Sequence, residues 1–221
     1  MTLPDSEQTY ADILAKLHAG EHFAISRWGD GEFSCLFGWP GENCDGHEYY
    51  PDLGKRLRAI VEGAPAYMMG LQPFAVRMLG NRFTPKYRNP SGFEWVNADA
   101  FHDAAKTDGL GEFKDALACK EVLLVGPSYL RPLGWPMVTI PVRDCWKTHE
   151  WTRGMILRRC RHRKPDVIVL CASMMANVLV DELWTDLGGE VTLIDVGSVF
   201  DPECGKYSRR YQRKARDKND G

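Results

Sequence analysis

Two carboxylates stand one residue apart near the start of the chain. Asp30 and Glu32 lie in "FAISRWGDGEFSCLFG", among glycines and directly behind an apolar, strand-like run. Mg²⁺ and Mn²⁺ prefer oxygen ligands, and a carboxylate pair spaced by one residue can share an ion with a diphosphate. Gly29 and Gly31 would let the backbone approach the phosphates. The alternative is a polar turn with solvated acids, since Asp-Gly is a common turn pair.

A second candidate phosphate contact follows another apolar run. The segment "VGPSYLRP" places Gly126 and Ser128 just after a predicted strand, where backbone N–H groups could face a phosphate. The full glycine-rich pattern of a phosphate-binding loop is missing. The pair therefore predicts a donor contact, with an ordinary loop as the alternative.

Other conspicuous side chains have both a functional and a structural interpretation. His149 and Glu150 could take part in acid–base chemistry, but a half-exposed helical His is more often structural. Trp28, Trp39 and Trp95 could stack on a base or a sugar, although large aromatic side chains more often belong to the core.

The elements that would position these residues follow from the apolar pattern. Apolar runs bounded by Gly, Pro or charge predict strands, several continuous enough to be buried on both faces. The predicted strands are 22–28, 66–71, 121–125, 137–142, 166–171 and 190–196, and the predicted helices are 6–19, 52–62, 98–106, 147–161 and 174–187. The alternation predicts an α/β domain with a mostly parallel sheet flanked by helices. In such sheets ligands bind outside the carboxyl ends of the strands, where Asp30 and Glu32 lie.

The clearest βαβ unit is "KPDVIVLCASMMANVLVDELWTDLGGEVTLIDVG", with two apolar strands around one helix and a Gly-Gly stop. Its most apolar part is interrupted by Ser173 and Asn177, so we expect no membrane span. Residues 80–97, rich in Gly, Pro, Asn and aromatics, predict a long loop that could cover a site.

Composition bounds the class of protein. The 221 residues include 44% hydrophobic and 26% charged residues, enough for one globular domain with a real core. The N-terminal segment lacks the basic start and apolar stretch of a signal peptide. Seven cysteines, an odd number without a C-x-x-C pair, indicate reduced thiols. These features predict a cytoplasmic protein.

The charge is unevenly distributed along the chain. Residues 206–221 contain seven Lys or Arg against two Asp, and "RRCRHRK" at 158–164 adds a second basic run. We therefore divide the chain into a domain at 1–205 and a basic tail at 206–221. The tail is either a solvated terminus or a nucleic-acid contact, and the acidic overall pI of about 6.3 favours the former.

Two motifs resemble those of one enzyme family. "ISRWGDGEF" is similar to the D-x-E signature of the GT-D glycosyltransferases, a small class of bacterial and phage enzymes, and "VTLIDVGSVFD" is similar to a second family motif. The resemblance covers roughly residues 20–207. It implies a Rossmann-like fold and transfer of a sugar from a nucleotide-sugar donor, a UDP-sugar foremost, with a bound Mn²⁺ or Mg²⁺.

The resemblance also implies roles for individual residues. Asp30 and Glu32 would hold the metal and the donor diphosphate, and Arg27 would pair with phosphate. The leaving diphosphate gains charge as the glycosidic bond breaks, so these groups would stabilise the transition state most. A structural salt bridge is the alternative role for Arg27. The residues expected to bind the donor are Arg27, Gly29, Gly31, Gly126, Ser128 and Ser198.

The sequence departs from the family on the acceptor side. Ser198 stands where members usually have His, and Ala172-Ser173 stands where they usually have Gly-Pro. An inverting reaction needs a general base, for which Asp201 or Asp195 is the candidate. The alternatives are a sheet-end hydrogen bond for Asp195 and a turn for Asp201, which precedes a proline.

Three functions remain open from the sequence. The leading hypothesis is a metal-dependent glycosyltransferase, whose acceptor is a glycan, a glycoprotein or a hydroxymethylated base in phage DNA. The second is a non-enzymatic nucleic-acid-binding protein that uses its basic C-terminus. The third is a metal-dependent nucleotide hydrolase that uses the same carboxylates.

Overall fold

A computed structural model describes residues 3–44, 46–63, 65–79, 95–107, 109–209 and 212–213. Within them, seven strands form one parallel sheet. The strands are β1 (Ala24–Trp28), β2 (Met68–Leu71), β3 (Trp95–Asn97), β4 (Val122–Pro127), β5 (Met137–Ile140), β6 (Val167–Leu170) and β7 (Thr192–Asp195).

Helices cover both faces of the sheet. The α-helices are α1 (Ser6–Ala19), α2 (Asp30–Leu36), α3 (Pro51–Gly63), α4 (Pro73–Leu79), α5 (Ala100–Lys106), α6 (Leu110–Leu117), α7 (His149–His162) and α8 (Met175–Asp186). Short 3-10 helices lie at Ser128–Leu133, Cys145–Thr148 and Pro202–Cys204.

The strand order β3-β2-β1-β7-β6-β4-β5 puts the first and last strands side by side. Ile25 of β1 pairs with Ile194 of β7, and on its other side with Met68 of β2. From β1 the chain runs outward to one edge, and from β4 onward it builds the other half of the sheet. The carboxyl ends of β1 and β7 therefore meet at the centre, where the two halves join.

Side chains alternate between two apolar cores, one on each face of the sheet. In β6, Ile168 and Leu170 pack into the core beside α3, α7 and α8, whereas Val167 and Val169 pack into the core beside α1, α5 and α6. This alternation is the pleat of a strand that is buried on both faces. It explains why the strand segments are continuously apolar.

The predicted α/β, Rossmann-like fold is confirmed, with six of its strands and five of its helices near the predicted positions. The predicted loop at 80–97 is wrong at its end, because Trp95–Asn97 forms edge strand β3; residues 80–94 lie outside the described part of the chain. Three residues behind a Gly- and Pro-rich stretch carry too little periodicity to predict a strand.

The turn alternative for Gly-Asp-Gly-Glu is also wrong. Asp30–Leu36 forms helix α2, which buries Phe33, Cys35 and Leu36. The two glycines suggested a turn, but apolar burial of the following residues outweighs their low helix propensity. Helices α4 and α6 were not predicted either. The predicted helix at 147–161 begins with a 3-10 turn, and α7 proper starts at His149.

No helix in the described ranges is long and apolar enough to cross a membrane.

Candidate functional site

A cavity of about 960 Å³ opens at the carboxyl ends of β1 and β7. Its wall combines the end of β1, the start of α2 and the end of β7. The sequence-predicted residues that line it are Arg27, Gly29, Asp30, Gly31, Glu32 and Asp195. Residues from both ends of the chain thus meet in one site.

Asp195 ties the two central strands together at this point. Its Oδ2 accepts a hydrogen bond of 3.1 Å from the Arg27 backbone N–H, and its Oδ1 accepts one of 3.0 Å from that of Gly197. The side chain is buried, and burial raises its pKa to about 6, against the opposing effect of the Arg27 guanidinium. The sheet-end hydrogen bond expected as one role of Asp195 is therefore present, with a carboxyl that titrates near neutral pH.

The guanidinium of Arg27 is held from several sides. Its Nε donates to the Ala98 carbonyl oxygen at 2.9 Å, and its Nη2 lies 3.1 Å from Nδ1 of His102. Asn177 of α8 donates to the Arg27 carbonyl oxygen at 2.7 Å. Gly197 has a φ of 62°, and a Cβ there would collide with Nη1 of Arg27. Close packing fixes the cation in the wall of the cavity.

His102 is a neutral partner for Arg27. Burial, together with the nearby Arg27 charge, lowers the pKa of His102 to about 4. Asp99 lies behind it, with Oδ1 3.9 Å from Nδ1 of His102. Burial raises the pKa of Asp99, but hydrogen bonds with His102 and Gln72, the Arg27 charge and, below about pH 4, the charge of protonated His102 leave that pKa lowered. The imidazole can therefore accept a hydrogen bond from Arg27 at neutral pH.

Helix α2 presents the two acidic side chains in its first turn. Asp30 is exposed, whereas Glu32 is half-buried and its Oε2 accepts a hydrogen bond of 2.8 Å from the Gly29 N–H. Burial raises the pKa of Glu32 despite that hydrogen bond, and the Asp195 carboxylate adds to the rise. Glu32 thus caps its own helix as well as lining the cavity.

Asp30 and Glu32 can bind a metal ion only if a substrate supplies further oxygen ligands. The described residues contain no group of three or more His, Cys, Asp or Glu side chains that could hold an ion. Tyr49 lines the same cavity as both carboxylates, and burial, together with nearby acidic groups that include Asp30 and Glu32, raises its pKa to about 12. Mg²⁺ is often held by one or two carboxylates plus substrate phosphates, and this pair fits that pattern.

A second cavity of about 730 Å³ lies beside the first, at the carboxyl ends of β4, β5 and β6. Ser128, Ser198 and Asp201 line it, so these three predicted residues are separated from the Asp30 group. Asp201 is buried, and its two oxygens accept hydrogen bonds from Tyr129 (3.0 Å) and Ser208 (2.5 Å). It remains a predicted base, but its carboxylate is occupied by these hydroxyls.

Gly126 has a packing role. It lies inside β4, and a Cβ there would come within 2.8 Å of Leu130 Cδ1 and 3.2 Å of Cys171 Cβ. It lines neither cavity, so the predicted phosphate contact has only Ser128 on a cavity wall.

The two cavities share a wall. Asn43 donates from Nδ2 to Ser173 Oγ at 2.6 Å, and Ser173 takes a left-handed φ of 49° just beyond β6. Arg209 completes the wall, with Nε donating to Ser198 Oγ at 3.1 Å. The residues common to both cavities are Glu42, Asn43, Cys44, Ser173, Gly197 and Arg209.

The first part of the predicted basic tail packs on this edge of the sheet. Gln212 is buried and donates from Nε2 to the Ser198 carbonyl oxygen at 2.7 Å, and its Oε1 accepts from the Arg209 N–H at 2.9 Å. Arg209 and Arg213 line the first cavity. The described residues beyond 205 thus supply positive charge to the site.

The other candidates lie elsewhere. His149 is buried in α7, with Nε2 2.8 Å from Oε2 of Glu182 and its ring stacked on Trp146, and it lines neither cavity. Trp95 is buried among core residues, and Trp39 is partly buried against the same core. Trp28 is also buried in this core, although it contributes to the wall of the first cavity.

Sequence reasoning missed His102, Tyr49, Asn43 and Arg209. Their segments show no strand-end motif, and only tertiary structure brings them to the cavity. Ser173 and Asn177 were visible as the polar interruptions of the most apolar stretch, and both now lie at the site. A polar residue in an otherwise buried helix or strand end was the available signal.

The fold is similar to that of two solved structures of a domain of unknown function, number 1792. A selenomethionine-substituted form is 16% identical, with a TM-score of 0.68, and the match covers 94% of this chain and 90% of that one. The second structure, 14% identical with the same TM-score and coverage, is reported to have a distinct glycosyltransferase fold. No protein-family model and no curated protein matches the sequence. This chain therefore shares the fold of these two structures.

Proposed function

We propose that the protein is a metal-dependent glycosyltransferase that takes its sugar from a nucleotide-sugar donor. The observation that carries the proposal is the meeting of Asp30, Glu32 and Arg27 with Asp195 in one cavity of a glycosyltransferase fold. The cavity lies where α/β sheets bind ligands. Its size is in the range of small-molecule sites.

The donor diphosphate would lie between the first turn of α2 and the Arg27 guanidinium. Asp30 and Glu32 would hold Mn²⁺ or Mg²⁺, which when bound neutralises charge on the diphosphate. The Arg27 guanidinium would face the same diphosphate. Its contacts with the Ala98 carbonyl oxygen and His102 fix its orientation. A group that is already oriented stabilises the developing charge without reorganisation.

The transfer itself exchanges one bond for another. The acceptor hydroxyl oxygen forms a bond to the anomeric carbon, and the bond from that carbon to the diphosphate oxygen breaks, with its electron pair staying on the nucleoside diphosphate. The hydroxyl proton passes to a base. Of the two predicted bases, Asp195 fits better because it lines the Asp30 cavity and has a pKa of about 6.

The test is turnover of nucleotide-sugars, UDP-sugars first, with and without Mn²⁺. We expect Mn²⁺-dependent release of the nucleoside diphosphate, reduced about 100-fold or more in Asp30→Asn and Glu32→Gln. Glu7→Gln is the matched control, since Glu7 is an exposed acid in the first turn of α1. Its activity should equal that of the wild type.

Other outcomes separate the alternatives. Full turnover in folded Asp30→Asn would contradict the proposed site. Release of nucleotide or phosphate that no acceptor ever captures would instead indicate a nucleotide hydrolase. Salt-sensitive DNA binding without any nucleotide-sugar binding would indicate a nucleic-acid-binding protein.

A further inference from the structure

We propose that the second cavity is the acceptor site, and that it selects an acceptor carrying an anionic group, a sugar phosphate or a uronic acid. This inference rests on the proposed function, since it assigns the second substrate of the same reaction. Arg27, Asp30 and Glu32, which we expect to hold the donor diphosphate and the metal, do not line this cavity, although Ser128 and Ser198, two of the predicted donor contacts, do.

The charges that line the second cavity suit an anion. Arg143 and Lys206 are exposed on its wall, and Arg209 closes the side towards the first cavity. No ion pair to Arg143 or Lys206 is found in the described part of the chain. Two cations on one concave surface, without a carboxylate partner, attract and orient a negatively charged group.

The same wall does not suit a cation. Asp201 and Glu42 are the carboxylates that line it, and both oxygens of Asp201 accept hydrogen bonds from hydroxyl groups. Glu42 is shared with the first cavity. The metal and the donor diphosphate are therefore expected beside Asp30 and Glu32, which leaves the second cavity for the other substrate.

Aromatic rings fit the carbohydrate part of such an acceptor. Tyr129 and Tyr207 line the cavity, and Lys206 Nζ lies 5.9 Å from the centre of the Tyr129 ring. A flat ring offers the apolar face of a sugar a surface, while the neighbouring ammonium can bind a phosphate or carboxylate. The volume of about 730 Å³ matches a small ligand, so we argue for a carbohydrate and not for duplex DNA.

The shared wall brings the two substrates together. Ser173, Gly197 and Arg209 belong to both cavities. Asp195 precedes Gly197 by two residues, and its carboxylate can accept the proton of the acceptor hydroxyl. A donor in the first cavity and an acceptor in the second would be separated by the residues that line both cavities. Group transfer requires that kind of adjacency.

Binding of simple probes tests the assignment. Glucose 6-phosphate, glucuronate and uncharged glucose are titrated calorimetrically into the full-length protein saturated with UDP and Mn²⁺. We expect both anionic sugars to bind at least about tenfold more tightly than glucose, because each good charged contact contributes roughly a factor of ten. Binding of one probe and not the other identifies the phosphate or the carboxylate as the preferred group.

Variants locate the binding. Arg143→Ala and Lys206→Ala should each weaken probe binding about tenfold, whereas Lys55→Ala, which removes an exposed cation from α3, should have no effect. Asp30→Asn should leave probe binding intact. The same two variants should raise the acceptor KM, whereas Lys55→Ala should leave it unchanged.

Several outcomes would overturn the inference. Competition between UDP and the sugar probes, or loss of probe binding in Asp30→Asn, would place the probes in the first cavity. Displacement of the probes by a DNA duplex would favour a nucleic-acid acceptor. Absence of donor turnover, with probe binding still sensitive to Arg143 and Lys206, would contradict the proposed function and not the anion site.

Discussion

The buried Asp195 carboxyl makes the stability of the protein depend on pH. It accepts N–H groups from both central strands, and burial holds its pKa at about 6. The folded protein therefore binds a proton at pH values where the unfolded chain, with a carboxyl pKa of 3.8, has released it. The contribution of this carboxyl to the free energy of unfolding is therefore complete below pH 3.8 and is lost as the pH rises through about 6.

Asp195→Asn tests this linkage. A pKa raised from 3.8 to about 6 corresponds to at most about 3 kcal/mol. The stability of the wild type relative to Asp195→Asn should fall by up to that amount between about pH 4 and pH 7, because only the wild type loses a proton. Urea unfolding of both proteins at each pH gives the difference. A difference that is constant across the range would contradict the raised pKa.

His102 is a positioning residue for Arg27. Its Nδ1 lies 3.1 Å from Nη2 of Arg27, and its pKa of about 4 keeps it neutral and able to accept a hydrogen bond. His102→Ala should raise the donor KM roughly 5- to 30-fold, the equivalent of about 1–2 kcal/mol, with a smaller effect on kcat.

His102→Gln provides the matched comparison, because its amide oxygen can also accept from Arg27. We expect it to recover most of the lost donor affinity, measured by calorimetry with UDP and Mn²⁺. Equal KM values for wild type and His102→Ala would show that Arg27 is held adequately by Ala98 alone. Thermal unfolding of each variant checks that the fold is intact.

The residues that could be predicted at this scale follow the ends of strands. Arg27, Asp30, Glu32 and Asp195 stand beside long apolar runs, and parallel strands bring their carboxyl ends to one edge. Ser198 and Asp201 belong to the same motif as Asp195, yet the chain turns at Gly197 and carries them to the second cavity. Such a turn cannot be located from residue spacing alone.

At the scale of elements, α2 has two functions that compete for the same side chain. Glu32 satisfies the Gly29 N–H at the start of the helix and is also a candidate metal ligand. Asp30 and Glu32 are two residues apart, so their side chains point to different sides of helix α2. They can bind one metal ion together only at the end of the helix. The position of both acids in the first turn meets this condition.

Substitutions at Glu32 separate capping from catalysis. Glu32→Gln keeps an acceptor for the Gly29 N–H, so it should change the free energy of unfolding by less than Glu32→Ala, which should lose about 1 kcal/mol. Both variants should lose metal-dependent turnover. Chemical denaturation and activity are measured on the same samples. An Ala variant as stable as the wild type would contradict the capping role.

Elements with clear end signals were predictable, whereas several of the elements that were missed are short. Helix α1 agrees with its predicted limits because Asp5 caps it and Gly20 ends it in a left-handed conformation. Strand β3 and helices α2 and α4 have three to seven residues, too few to show a period. Tertiary packing decides their structure, and this information is absent from any short stretch of sequence.

At the scale of the whole molecule, the segment after Gly205 belongs with the site. Ser208 and Gln212 bind Asp201 and the Ser198 carbonyl, and Arg209 forms part of the wall between the cavities. The sequence predicts a basic tail from its charge, but charge alone does not reveal which of its residues have buried partners.

Truncation tests the contribution of this segment. A chain ending at Gly205 should lose about 2–4 kcal/mol, because the buried Asp201 carboxylate and the Ser198 carbonyl lose hydrogen-bond donors. A chain ending at Arg213 keeps those donors and is the matched control. Urea unfolding should place the longer chain near the wild type. Equal stability of the two truncated chains would contradict the role of Ser208 and Gln212.

The pairing of Ile25 with Ile194 makes the site a product of both ends of the chain. During synthesis β1 is made before the other strands of the described sheet, but one of its edges stays without a partner until β7, the last of these strands, has been made. The contact between β1 and β7 joins strands that are far apart in sequence, so the described sheet can close at its centre only after all its other strands have been made. The Asp30 cavity is consequently completed late in folding, and a nascent chain that has not reached β7 has no Asp195 to join its two halves.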